Sequence, residues 1–461
     1  MKRWTPFLIV TGLLFGVYLL TMPPSLTWAH HGDDGGDLVT AVALGRLPHP
    51  PGVPVYLLLG RLFLSIPWGD PAWRLNLMSA LLGAGAAGLA ALATERLLRD
   101  SLRFTTAVGW VATGAGLSLG LAPLFWSQAL IAETYAPAAF FAALVLLFVV
   151  SSGPAWVLGL AWGVGIGVHP TLGFLAPLVV AATWGDMRRG VETGLAALLG
   201  LAGAYGPLLL TFGMAPSPWG DVGDVSGWWS FVTAELYRGY LFGLPLAAWP
   251  QRLLAWAGLL ARQFTPVGAV LAGWGWVRWR SERSALAWGT LVSLGLGSLY
   301  AIGYDTTDSL VYLVPMLPLA ATWLGGGLAW AAAQIGGGWS RLALLLLPLV
   351  QLVLFWGPID VSDDDGAMAW AERTLGSAPP EAILVTKTDP HTFTLWYATQ
   401  VLALRPDVTV VDQDLWAVPS YRRMVANSLG LAELEEDAPV SEAVRRLERP
   451  AVWISGGNSK R

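Results

Sequence analysis

The sequence predicts a polytopic α-helical membrane protein with a small C-terminal α/β domain outside the bilayer, and three observations carry that prediction. The chain is 55% hydrophobic and only 13% charged, whereas a soluble domain is about 25% charged. Its apolar residues gather into runs of about 20, the length that crosses a bilayer as a helix. Beyond residue 358 this pattern yields to short strand-like runs alternating with helical stretches.

The composition also excludes several classes of function. A formal net charge of −4, with no basic patch interleaved with aromatics, argues against nucleic acid as a partner. The absence of cysteine removes disulfides, thiolate nucleophiles and Cys-ligated metals, so any metal would sit on oxygen or imidazole. No Walker motif, nucleophile elbow or HExxH helix is present, which leaves nucleotide hydrolysis, serine hydrolysis and zinc proteolysis unsupported.

The elements follow in order. Residues 1–22 begin with Lys2 and Arg3 and continue apolar. Met22-Pro23-Pro24 replaces a small-residue cleavage pattern, so an uncleaved first span is expected. Hydropathy places spans at 5–22, 73–95, 104–124, 135–151, 154–168, 171–184, 191–212, 253–277, 285–303, 310–333 and 342–357, about eleven crossings. The apolar stretch 53–66 contains Arg61 between prolines and reads as a helix lying in the interface or dipping into it. With the N-terminus cytoplasmic, Lys2 and Arg3, then Arg96, Arg99 and Arg103, then Arg188 and Arg189, then Arg278, Arg280 and Arg283, and finally Arg341 all fall inside. Keeping Arg188 and Arg189 there requires two short helices broken at His169-Pro170. The same topology sets all five histidines and the loop carboxylates outside, which favours a surface site over a path through the midplane.

Asp363, Asp364 and Asp365 divide a membrane domain, 1–357, from an extracytoplasmic α/β domain, 358–461, with strands expected at 382–386, 408–412 and 451–455. The stretch Thr386-Lys387-Thr388-Asp389 lacks the Gly-rich turn of a nucleotide fold, so acceptor binding or lid formation is the expected role.

Polar chemistry concentrates in the first loop, 23–72. Between Trp28 and Tyr56 it gathers Asp33, Asp34, Asp37, His30, His31, His49 and a rigid Pro48–Pro54 segment. Asp34 and Asp37 have the spacing of an N-cap and N3 pair opening a short helix, which puts both carboxylates near one face of its first turn. A capped loop helix at the membrane surface is the alternative to a catalytic loop.

Around it stand Glu133 and Tyr135, His169, Arg262 and Gln263, and Asp308 and Tyr312, each near the outer end of a predicted span. Arg262 lies well inside the span 253–277, where a charge costs about 2.5–3.5 kcal/mol. It is either a clamp on an anionic lipid phosphate or an arginine that snorkels or pairs with a loop acid. His169 divides between phosphate binding and helix-end structure. Glu133 and Tyr135 divide between substrate binding and interfacial anchoring.

Asp34-Gly35-Gly36-Asp37-Leu38 followed by His49-Pro50-Pro51-Gly52-Val53-Pro54 resembles the acidic-then-HPPG loop of the membrane family that includes the animal protein O-mannosyltransferase acting on plexin-type receptors. Trp126-Ser127-Gln128 with Glu133-Thr134-Tyr135, His169-Pro170-Thr171, Arg262-Gln263-Phe264, Asp308 with Val311-Tyr312-Leu313-Val314-Pro315, and Thr388-Asp389 with Arg405-Pro406-Asp407 extend the likeness along nearly the whole chain. The resemblance implies a GT-C-like fold. It also implies transfer of a sugar, mannose in that family, from a polyprenyl-phosphate donor to a hydroxyl of a protein, glycan or lipid acceptor on the extracytoplasmic side of the cell membrane.

By that resemblance Asp34 or Asp37 is the essential acid. Asp34 is expected as base, and Asp37 or His49 as its orienting partner or, with a divalent Mg or Mn, as a metal ligand. Arg262, His169 and Gln263 are expected at the donor phosphate. The alternative is a transporter or lipid-linked-sugar flippase, for which Arg262 is the one midplane candidate.

Overall fold

The computed structural model describes residues 4–99, 108–207, 217–220, 222–335, 339–431 and 438–454. The predicted spans 104–124 and 191–212, Arg103 and the end of the strand expected at 451–455 lie partly outside these residues. Among the described residues, sixteen α-helices precede the C-terminal unit. They are α1 (Thr5–Thr21), α2 (Gly35–Leu44), α3 (Pro54–Leu64), α4 (Pro71–Arg99), α5 (Val108–Gly120), α6 (Pro123–Gln128), α7 (Tyr135–Val150), α8 (Ala155–Ile166), α9 (Ala176–Thr183), α10 (Met187–Pro207), α11 (Val225–Val232), α12 (Trp249–Gln263), α13 (Thr265–Glu282), α14 (Ser284–Gly303), α15 (Leu317–Ile335) and α16 (Trp339–Ile359).

Among the described residues, four helical stretches are long and apolar enough to cross a membrane singly: Pro71–Arg99, Ser284–Gly303, Ser309–Ile335 and Arg341–Ile359. Shorter apolar helices occupy other predicted spans, including Thr5–Thr21, Val108–Gly120, Tyr135–Val150 and Ala155–Ile166. One predicted span is corrected. The stretch 253–277 is two helices, α12 and α13, meeting at 90°, with Pro266 fixing the first turn of α13 and Thr265 in a left-handed conformation (φ 60°). The expected break at His169-Pro170 is present, since a 3-10 turn over Pro170–Leu175 separates α8 from α9.

Helix α4 is the hub, packing on α1, α5 and α7. Its buried run Gly83-Ala84-Gly85-Ala86-Ala87-Gly88 lets backbones approach closely, the usual means of helix association where lipid removes the hydrophobic drive.

The C-terminal unit comprises α17 (Gly366–Ser377), β1 (Ile383–Thr386), α18 (Asp389–Trp396), β2 (Thr409–Asp412), α19 (Pro419–Ser428), α20 (Val440–Arg446) and β3 (Ala451–Trp453). Its three strands form a parallel sheet in the order β2-β1-β3, with Ile383 opposite both Thr409 and Ala451. The central strand, Ile383-Leu384-Val385-Thr386, is buried throughout, as a parallel strand covered on both faces must be.

This unit docks on the first loop. The Val361 amide donates to the Thr21 carbonyl (3.0 Å), and Trp28 Nε1 to Thr394 Oγ1 (2.9 Å). The Tyr397 hydroxyl donates to Asp70 (2.7 Å), Arg46 to Gln400 (2.6 Å), and Thr27 to Asp364.

Candidate active site

Helix α2 begins where the acid spacing predicts, but the capping box does not form. Asp34 occupies the N-cap position, yet its side chain makes no cap hydrogen bond. Asp37, buried to 3% exposure, turns instead to His49. Its Oδ2 accepts from the His49 backbone N–H (2.8 Å) and bonds the ring Nδ1 (2.9 Å). The Pro48–Pro54 segment returns the chain so that His49 Nε2 also faces Asp34 Oδ2 at 3.7 Å. A carboxylate, an imidazole and a second carboxylate thus stand in series. The buried one anchors the ring, and Asp34, with 38% of its side-chain surface open, faces the cavity.

The turn is tight for two local reasons. Gly45 ends α2 in a left-handed conformation (φ 67°), which only glycine adopts without cost. Gly36 lies flat against the backbone of α18, where a Cβ would collide with the Phe393 carbonyl.

Charges in this cavity act on one another. Burial alone would lower the His49 pKa, but Asp34 and Asp37 outweigh it and push the ring up to about 10, so at neutral pH it is an imidazolium. Burial raises Asp34, opposed by His49 and reinforced by Asp37 and Asp308. Burial with Asp34 and Asp308 lifts Asp33 to about 6. Glu133, 3% exposed, is pushed well above the ordinary carboxylate range by burial and by Asp34, while its Oε2 accepts from the Thr134 amide (3.3 Å). Asp33, Asp34, Glu133 and Asp308 therefore act on one another as one acidic cluster, with the His49 imidazolium beside Asp34.

One wall of the recess is aromatic. Tyr135 and His169 lie with ring centroids 5.4 Å apart, and Tyr312 is 5.8 Å from Tyr135 and 5.7 Å from His169. Tyr300 and Tyr304 continue the wall from Tyr312 at 5.1 and 5.3 Å. His169 differs from expectation. Its Nδ1 accepts from the Thr171 amide (3.3 Å) and contacts the Thr171 hydroxyl (2.8 Å), and burial together with His49 lowers its pKa to about 3. It is a neutral ring offering Nε2–H, not a cationic clamp.

The predicted phosphate group divides in two. Arg262 is in the last turn of α12, exposed, with no ion-pair or hydrogen-bond partner among the described residues. It sits at the 90° bend and not in the middle of a span, which removes the insertion-cost argument. Gln263 is buried and engaged elsewhere. Its Oε1 accepts from the Leu124 amide (3.1 Å), its Nε2 donates to the Leu259 carbonyl (3.0 Å), and its own carbonyl accepts from Gln351 (2.7 Å). It ties α12 to α6 and α16 and presents nothing to a ligand. Beyond the bend, an apolar cavity of about 250 Å³ is lined by Thr265, Leu271, Leu328, Leu344 and Leu347.

The donor set does not fit a divalent metal. Asp34 and Asp37 address opposite nitrogens of one protonated imidazole, and among the described residues no three carboxylate or imidazole groups converge as ligands.

Sequence reasoning missed Asp389, Trp219 and Tyr237. The Trp219 ring lies 6.0 Å from His49. Burial and the charges of Asp34, Asp37 and Asp389 all raise Tyr237, so Tyr237 and Trp219 stand on the same side as the first-loop acids. Asp389, at the start of α18, feels Asp34, Asp412, His49 and Asp37. The available signal was its position directly after a strand of a parallel sheet, where ligand-facing loops emerge.

Residues 34–185 match the model of the Protein O-mannosyl-transferase TMEM260 N-terminal domain, and residues 367–432 match TMEM260-associated domain 2. The chain is 23% identical to the mouse Protein O-mannosyl-transferase TMEM260, over 88% of this chain and 63% of that protein, so it spans under two thirds of that relative's length. In fold it is similar to ArnT from Cupriavidus metallidurans bound to undecaprenyl phosphate (TM-score 0.58, 14% identity, 89% of this chain and 90% of that one). It is also similar to the Archaeoglobus fulgidus oligosaccharyltransferase (TM-score 0.53, 12% identity, 96% of this chain and 66% of that one). The first match begins at Asp34 itself and the second covers Asp389, so in both stretches, 34–185 and 367–432, the chain is similar to the TMEM260 protein O-mannosyl-transferase domains.

Proposed function

We propose that this chain is an integral membrane glycosyltransferase that moves a sugar, mannose by family likeness, from a polyprenyl-phosphate donor to a hydroxyl of a protein or glycan acceptor at the extracytoplasmic face. The observation that carries the proposal is the series Asp37–His49–Asp34 at the edge of an open acidic recess. Asp34 takes the acceptor hydroxyl proton. The acceptor oxygen then bonds the anomeric carbon while the bond from that carbon to the phosphate oxygen breaks, and the phosphate leaves with the electron pair. His49, held by Asp37, keeps Asp34 ionised until the proton arrives. Arg262 at the bend is the guanidinium best placed in sequence for the leaving phosphate. His169 Nε2–H supplies a further donor.

The isoprenoid tail would lie in the apolar cavity beyond Thr265. One-sided arginine clustering supports about eleven crossings with 358–461 outside. A single displacement inverts the anomeric configuration. The test incubates purified chain in nanodiscs with polyprenyl-phosphate mannose and a Ser/Thr-rich peptide pool, and reads product linkage by NMR. Inverted glycopeptide is expected; retained configuration would overturn the single displacement and point to a covalent intermediate on a neighbouring carboxylate such as Asp33 or Asp308.

A further inference from the structure

The C-terminal unit presents the carboxyl end of its sheet to the recess. Lys387 and Asp389 leave β1 there, both are exposed, and neither side chain has a hydrogen-bond or ion-pair partner among the described residues. The neighbouring acid shows the contrast. Asp412, at the end of β2, is buried and fully engaged, accepting from Thr392 (2.5 Å) and from the Asp414 and Leu415 amides (2.8 and 2.7 Å). In a parallel sheet this edge is where ligands are met. Here it is pinned to the first loop by the flat Gly36–Phe393 contact and the Trp28–Thr394 bond, so the start of α18 faces the start of α2.

The two carboxylates, Asp34 at the mouth of α2 and Asp389 at the mouth of α18, are near enough for the charges of Asp34, His49 and Asp37 to act on Asp389. The surface of Asp389 is open, while burial and those charges lift it to about 7.

We infer that Asp389 is an acceptor-binding residue, through which the C-terminal unit holds the incoming hydroxyl-bearing chain against Asp34. The inference rests on the transferase proposal. A carboxylate on the open side of the recess accepts hydrogen bonds from the acceptor's amides and neighbouring hydroxyls, while Asp34 takes the reacting proton. The donor meets the opposite side, at the α12–α13 bend, and does not require Asp389.

The experiment compares wild type, Asp389→Asn and Asp389→Glu as full chains in nanodiscs. It measures binding of a fluorescent Ser/Thr-rich peptide pool, acceptor and donor KM, and kcat. Losing one charge-assisted hydrogen bond is worth about ten- to a hundredfold. Asp389→Asn should therefore raise acceptor KM and weaken peptide binding by about that factor, leave donor KM unchanged and keep kcat within about threefold. Asp389→Glu should recover part of the affinity. Wild-type peptide binding and KM in Asp389→Asn would overturn the inference while leaving transferase activity standing. Equal loss of donor KM, acceptor KM and thermal stability would also overturn it, by assigning Asp389 to structure. A wild-type chain that neither binds nor modifies the pool would overturn both proposals.

Discussion

At the first loop, Asp37 grips His49 at 2.8 and 2.9 Å and His49 stands 3.7 Å from Asp34; at the α12–α13 bend, Arg262 is exposed and pairs with none of the described residues. One end has its imidazole held between two carboxylates and its geometry fixed before any substrate arrives. The other holds a guanidinium in waiting. A base must be aligned in advance, because misplacement by about 1 Å costs on the order of 10²-fold. A cation meant for phosphate gains by staying unpaired, since an ion pair with a protein carboxylate would have to be broken first. On the transferase proposal, acceptor chemistry is preorganised while the donor brings its own end into order.

The largest expected effect breaks the preorganised end. Asp34→Asn keeps size and should lower kcat by about 10²–10⁴-fold with folding intact, read by glycopeptide formation and thermal melting. Full activity would move the base elsewhere in the recess. Next, Asp37→Asn removes the anchor of His49 and should cost about 10- to 100-fold in kcat, as expected for losing a charge-assisted hydrogen bond. If Asp37→Asn and Asp34→Asn together cost only as much as Asp34→Asn alone, the two act as one unit.

At the open end, Arg262→Lys should raise donor KM by about tenfold and Arg262→Ala further, since a point charge cannot replace a bidentate fork. An unchanged donor KM would leave Arg262 with a structural or interfacial role.

The smallest effect is on stability. His49 is raised from 6.5 to about 10 in the folded chain. Its stabilising contribution is thus complete below pH 6.5 and is lost as pH rises towards 10. The melting-temperature difference between wild type and His49→Gln should shrink across that window; a difference that grows with pH would contradict a charged His49. Topology is checked separately in this cysteine-free chain. A membrane-impermeant thiol reagent should label Glu372→Cys but not Arg188→Cys from outside, and the reverse pattern would invert the orientation.

Much of this was legible in the chain. Hydropathy located most helices because each apolar run has to satisfy its own backbone in lipid, and the strands at 383–386 and 409–412 fell within the runs expected at 382–386 and 408–412. The acidic-then-HPPG loop pointed to Asp34, Asp37 and His49. Other features were hidden for physical reasons. The bend at Phe264-Thr265 lies inside a run that hydropathy averages over, so Arg262 looked like a mid-span charge. Gln263 looked like a ligand because its partners, Leu124 and Gln351, are 139 and 88 residues away. The neutrality of His169 depends on Thr171 and on the charge of a distant His49. Asp389 became visible only once α18 was seen to lie on α2.

That last contact sets a timetable. Helix α2 leaves the ribosome early, but the Phe393 carbonyl that lies flat against Gly36 follows more than three hundred residues later, about 20–70 s at ordinary synthesis rates. For that interval the helices insert while the recess lacks its Asp389 side and Trp28 lacks Thr394. On the transferase proposal, the nascent protein passes this interval with its site unfinished. Maturation ends when the C-terminal unit swings onto the first loop and closes a circuit between opposite ends of the chain.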